Sequence, residues 1–166
     1  SRGRFTLCQA DSTSAQTLDV KVKWRGRGSD TVTNPPDLHK RNYRLEFDDD
    51  QRFFNLRSDD DWKLDAGIMD LFRVRNIVAA RLWSDMATPP HYAKEKPNAR
   101  STTRGEVVEL FLNDRYQGIY TLLEPIDRKQ MKLAKADTVA GIAKGALWKA
   151  TGYGYATMSS VDDLCD

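Results

Sequence analysis

Cysteine, histidine and net charge are all in short supply. The two cysteines, Cys8 and Cys165, lie near opposite ends of the chain with no CxxC or Cys/His spacing. Neither a metal site nor a disulfide framework follows from that, and a bridge between the two depends on a Cα separation that sequence does not give. The redox compartment stays open. Twenty-six basic residues against 24 acidic ones leave a formal charge of only +2, so no overall field draws the chain to nucleic acid or to an anionic membrane. Any basic site must be local. No apolar run approaches the ~20 residues of a membrane span, and the opening SRGRFTLCQ lacks the apolar stretch of a signal peptide. His91 stands in a polar, proline-containing loop with no second ligand beside it.

What is present suits a domain with a real core, or part of a larger one: 166 residues, 40% of them hydrophobic. The last residues, Leu164-Cys165-Asp166, follow an acidic turn without a basic or polar tail, so the expectation is that the natural polypeptide continues.

The clearest element is Glu106 to Asp127, EVVELFLNDRYQGIYTLLEPID. Apolar, β-branched and aromatic residues fill both arms, and Asn113-Asp114 between them tolerates the positive φ of a tight turn, which predicts an antiparallel hairpin. Val108, Leu110 and Leu112 alternate with Val107, Glu109 and Phe111, giving one nearly apolar face and one mixed face. Gly118 interrupts the second arm, as a bulge or a close approach by another group would require. Glu124, just before Pro125, is the first carboxylate placed for chemistry.

Upstream, Arg4 to Gln9 and Leu18 to Arg27 are expected strands, the second with Leu18, Val20, Val22 and Trp24 on one face. It runs into Arg25-Gly26-Arg27-Gly28-Ser29, a loop in which glycines let backbone N–H groups approach an anion and arginines offer bidentate forks. Taken alone, the same loop also reads as a solvated turn. Lys40-Arg41-Asn42-Tyr43-Arg44 opens the next strand, with Tyr43, Leu45 and Phe47 facing one way and Arg44 and Glu46 the other. Asp48-Asp49-Asp50 and Ser58-Asp59-Asp60-Asp61 read as solvated turns; neither has the glycine and terminal glutamate of a calcium loop. Arg52 to Leu56 is expected as a strand between them, and Trp62 to Ala66 as a short strand or connector.

Asp70 is placed to cap a helix in which Leu71, Val74, Val78, Leu82 and Met86, with Ile77 and Ala79, recur at helical spacing until Pro89-Pro90. Arg73, Arg75 and Arg81 fall on its wet side. Beyond the hairpin, Asp127 to Ala134 suggests a short helix, Thr138 to Gly145 a loop or lid, and Gly145 to Lys149 a strand. The last stretch has no clear period.

Five blocks in this order resemble one family. They are Arg25-Gly26-Arg27-Gly28-Ser29; Lys40-Arg41-Asn42-Tyr43-Arg44-Leu45; Trp62-Lys63-Leu64-Asp65-Ala66 with Asp70 and Arg75-Asn76; Leu112 to Tyr120 with Glu124; and Gly145-Ala146-Leu147-Trp148-Lys149. Together they are similar to the successive signatures of the CotH spore-coat and kinase-like family. Two blocks depart from its pattern: the usual Arg-Gly-Asn-Ser is here Arg25-Gly26-Arg27-Gly28, and the usual Lys-Lys-Pro-Tyr is Lys40-Arg41-Asn42-Tyr43.

The resemblance implies an atypical protein-kinase-like fold that binds ATP with Mg²⁺ and transfers the γ-phosphoryl to serine or threonine of partner proteins. In that reading residues 1–166 are a single domain or the N-terminal, nucleotide-covering lobe of a larger kinase-like domain. The class is α+β, an antiparallel sheet with one main amphipathic helix. Lys40 and Glu124 would be the catalytic pair, and Arg25, Gly26, Arg27, Gly28, Ser29, Arg44 and Lys149 would hold the nucleotide. The family's metal-binding aspartates would lie past Asp166, in a downstream lobe of the same polypeptide. Phosphoryl transfer asks little covalent chemistry of a protein, mainly cations on phosphates and carboxylates holding metal, so a segment rich in placed cations is consistent with it. The resemblance equally permits a non-catalytic structural or adhesive module, and either role implies a secreted or cell-surface setting with protein substrates or coat proteins as partners.

Overall fold

A computed structural model describes residues 1–9, 15–25, 40–68, 70–135, 141 and 147. Six strands and one helix follow one another as β1 (Arg2–Leu7), β2 (Gln16–Arg25), β3 (Asn42–Arg52), β4 (Ser58–Asp65), α1 (Arg75–Met86), β5 (Gly105–Leu112) and β6 (Arg115–Leu123). The strands form one antiparallel sheet in the order β1-β2-β3-β4-β6-β5, curled into a half-barrel. The class is α+β.

The period-two pattern decides which face is inside. Val20, Leu45, Phe47, Trp62, Leu64, Tyr120 and Leu122 line the concave side and are buried, and Val22, Tyr43, Val108 and Leu110 pack partly buried against them. Phe5, Phe47, Phe53 and Trp62 form a run of ring contacts, with centroids 5.6 Å apart for Phe5–Phe47, 5.5 Å for Phe47–Phe53 and 4.9 Å for Phe53–Trp62. Trp62 is wholly buried, and its indole N–H donates to the Asp59 carbonyl at 2.9 Å. Removing such a side chain costs about 3–5 kcal/mol.

The hairpin is formed as its sequence predicts. Asn113 and Asp114 both take left-handed backbone, with φ of 49° and 61°, and join β5 to β6. Gly118, at φ +89°, marks the register shift between Leu110 and Phe111 of the partner strand, so it is a bulge.

Three expectations are corrected. The aspartates of both triple runs lie in strands: Asp48 to Asp50 continue β3, and Ser58 to Asp61 open β4. The turn lies instead at Phe53–Arg57, where Phe54 takes φ +52° and Leu56 N–H donates to Phe53 C=O at 3.1 Å. Pairing with neighbouring strands and a bulge between Glu46 and Gln51 override aspartate's low strand preference. The segment after β6 forms turns rather than a helix, with Leu133 N–H reaching Arg128 C=O at 2.9 Å.

The helix is the third correction. It spans only 12 residues, and the sole buried one is Ile77. Val78, Leu82 and Met86, spaced by four, face outward together, Met86 at 81% exposure, and Leu71 ahead of them is 87% exposed. Asp70 does serve the helix start: its carboxylate accepts from Arg75 N–H at 2.8 Å and from Phe72 N–H at 3.1 Å. No described helix is long and apolar enough to cross a membrane.

Candidate functional site

Lys40 precedes β3 and reaches across to β6. Its ammonium donates to the Ile119 carbonyl and sits 4.3 Å from the centroid of the Tyr120 ring. Gly118 borders the lysine: a Cβ there would lie 3.6 Å from Lys40 Nζ and 3.8 Å from Cε, ordinary van der Waals contact, so it is the left-handed backbone of the bulge that favours glycine. Burial lowers the Lys40 pKa, the nearby Arg73 guanidinium lowers it further, and Asp65 pulls the other way. Burial, with Tyr43 beside it, pushes the Tyr120 hydroxyl up to about 12, so the ring stays neutral and offers its face to a cation.

Glu124 belongs to a different corner. It is 1% exposed and accepts from Arg57 N–H at 2.8 Å and from Arg100 Nη2 at 2.5 Å. Five residues separate it from Ile119, about 16 Å along extended chain at ~3.3 Å per residue. The expected Lys40–Glu124 pair is therefore not formed. Lys40 meets the middle of β6 and Glu124 lies just past its C-terminal end, a separation that motif order cannot reveal.

Around Glu124 the charges saturate one another. Arg57 makes a fork to Asp127, both bonds 2.9 Å, and a further contact to the buried Asp59. Lys129 Nζ lies 2.7 Å from both Asp59 and Asp60. Burial raises the Asp59 pKa against the Lys129 hydrogen bond, whereas the Lys129 and Asp59 hydrogen bonds bring Asp60 down to about 2. Burial pushes the Asp127 carboxyl up, but the Arg57 fork, the Gln130 N–H and the Lys129 charge together hold it below the ordinary carboxylate range. Asp50, Asp59 and Asp60 gather their oxygens within 4.8 Å of one another. That cluster does not fit Mg²⁺, since the Lys129 ammonium and the Arg57 guanidinium already supply its positive charge. Asp59 also lies six residues from Asp65 on β4, about 20 Å from the Lys40 end.

Arg44, expected on phosphate, is committed elsewhere. Its guanidinium forks onto Asp61 at 3.1 and 2.6 Å, with Glu46 at 3.4 Å. It also stands on the outer face, opposite Tyr43 and Leu45. Arg25, whose strand partner is Asn42, shares that outer face by register, so neither arginine converges with Lys40 across the sheet. Gly26, Arg27, Gly28, Ser29 and Lys149 lie outside the described residues.

Beside Lys40 the concave face opens into an apolar groove of about 730 Å³, lined from both sheet edges by Phe5, Leu7, Val108 and Leu110 and from its floor by Tyr43 and Leu122. Tyr43 and Tyr120, 6.2 Å apart between ring centroids, connect this groove to the lysine. Arg73, expected on the wet side of the helix, lies in the loop ahead of it with left-handed backbone, and the buried network, whose partners are some 70 residues apart, leaves no local signal.

The fold is an α+β half-barrel with an open apolar groove on its concave face. The family model for CotH, described as CotH kinase protein, matches residues 22–162. The chain belongs to the CotH family. No curated protein matches it.

Proposed function

We propose that this chain binds a nucleoside triphosphate, ATP as its resemblance to kinase-like proteins implies, with phosphate over Lys40 and the base toward the apolar groove. The carrying observation is the Lys40 ammonium itself: partly buried, held by a backbone carbonyl and an aromatic face, and without a carboxylate in ion-pair contact among the described residues. Such a cation is available to an anionic ligand, and as a compact point charge lysine suits a phosphate oxygen. In this reading the half-barrel is the nucleotide-covering part of a kinase-like fold, and the whole polypeptide transfers the γ-phosphoryl of ATP to serine or threonine of partner proteins.

Lys40 binds and orients phosphate; Glu124 has a structural place in the Arg57–Arg100 corner. Mg²⁺, when bound with the nucleotide, would neutralise phosphate charge. The described residues provide no carboxylate cluster free for it, so no step is assigned to the metal here. Residues 1–166 alone are expected to bind ATP weakly and to transfer no phosphate.

One observation favours a second reading, a non-catalytic surface or coat module: the exposed Leu71, Phe72, Leu82, Trp83 and Met86 around α1 offer apolar area to a protein partner. ATP titration with calorimetric detection separates the two. Binding that is lost in K40M supports the nucleotide reading. No ATP binding by the chain or by a longer natural polypeptide containing it supports the module.

A further inference from the structure

Arg73 lies in the loop between β4 and α1, and its backbone is the unusual feature. Its φ of +62° is left-handed, a conformation that glycine adopts freely and an arginine does not. The loop is tightly tied: Asp70 N–H donates to Gly67 C=O at 2.9 Å and Arg73 N–H to Asp70 C=O at 3.0 Å. The Arg73 guanidinium turns back and donates to the Gly67 carbonyl through Nη1. Only one of its five N–H groups is used in that bond, and no carboxylate is in ion-pair contact with it among the described residues.

Register brings this guanidinium beside Lys40. Asp65 pairs with Thr121 where β4 ends; Gly67 lies two residues past that pair and Ile119 two residues before it on β6, so both carbonyls flank the same end of the β4–β6 pairing. Arg73 donates to the first carbonyl and Lys40 to the second. The electrostatics agree, since Arg73 acts on both Lys40 and Tyr120. Two cations side by side, each resting on a backbone carbonyl, repel one another unless an anion joins them. Asp65 is the carboxylate that acts on Lys40, and its Oδ1 is also placed to accept from Gly67 N–H at 3.3 Å.

We propose that Arg73 is a second phosphate-binding residue, which with Lys40 forms a two-cation clamp for the polyphosphate of the ligand. The inference rests on the reading of Lys40 as a phosphate contact. It adds a residue outside the five motif blocks and gives a reason for an arginine where glycine would be unstrained. The guanidinium supplies the directional fork and the ammonium the point charge.

Calorimetric titration of the chain with inorganic tripolyphosphate, and separately with ATP, tests this. Asparagine tolerates left-handed backbone, so R73N removes the charge with the least disturbance of the loop. Loss of one charge-assisted contact should weaken tripolyphosphate binding roughly tenfold. R73K should recover most of the affinity, and R81N on the exposed helix should change nothing. The Lys40 ammonium, followed by NMR, should titrate at higher pH in R73N, because its charged neighbour is gone while Asp65, Tyr43 and Tyr120 remain. K40M-sensitive ATP binding with R73N unaltered would sink the clamp and leave the nucleotide reading standing. Equal losses in R73N and R73K, or an unmoved Lys40 titration, would make Arg73 a loop staple and overturn the proposal. No binding of either probe would overturn both.

Discussion

Two charged corners of the same sheet differ in what their cations touch. At the Glu124 end, Arg57, Arg100 and Lys129 all rest on carboxylates, and the group is closed to further charge. At the Lys40 end, Lys40 and Arg73 rest on backbone carbonyls and an aromatic face. Saturated charge holds a fold together, because each buried ion needs its counter-ion. Unsaturated charge is what a ligand uses. The number of charged residues at each end says nothing about which is which; their partners do.

The largest effect should come from opening the closed corner. E124A leaves Arg100 and the Arg57 backbone N–H without their acceptor, and loss of a buried partner costs about 3–5 kcal/mol. Urea unfolding should register that loss. A smaller change is expected from G118A, in which an L side chain must adopt φ +89° while its Cβ makes only ordinary contact with Lys40. About 1–3 kcal/mol of strain is expected, with ATP binding little changed. K40M, by contrast, should abolish phosphate affinity while leaving the unfolding midpoint nearly unchanged.

Acid sharpens the contrast further. Asp60 has its folded pKa depressed from 3.8 to about 2, so its pairing with Lys129 stabilises the protein above the unfolded value and is lost as pH falls from about 4 toward 2. Asp60 is half exposed, so solvent screening keeps the effect small. Thermal melts across that window should show a slope that K129M reduces. Smallest of all should be R44A: the Arg44–Asp61 fork is exposed, worth about 0–1 kcal/mol, and ATP affinity should not move.

How much of this was readable beforehand follows the range of each interaction. The hairpin was legible because Asn113-Asp114 and the alternation on either side are local signals. The concave face was legible for the same reason at Val20, Leu45 and Phe47. Aspartates 48 to 50 and 59 to 61 misled, since only neighbouring strands and a bulge make them extended. The helix misled differently: Val78, Leu82 and Met86 have helical spacing, but spacing does not say what the stripe packs against. Lys40 was found by its place in a motif, yet the pairing assigned to it was wrong because the Glu124 carboxylate is satisfied by Arg100 and by the Arg57 backbone. Arg73 left no sequence signal at all; its φ is set by the loop that Gly67 and Asp70 build.

The central contrast is between an available Lys40 and a spent Glu124. Calorimetric titration of ATP into the wild-type chain, K40M and E124Q tests this most directly. Binding that disappears in K40M and persists in folded E124Q is the predicted result. Binding that survives in K40M but is lost in folded E124Q would contradict it, and would place the ligand at the corner assigned here to stability.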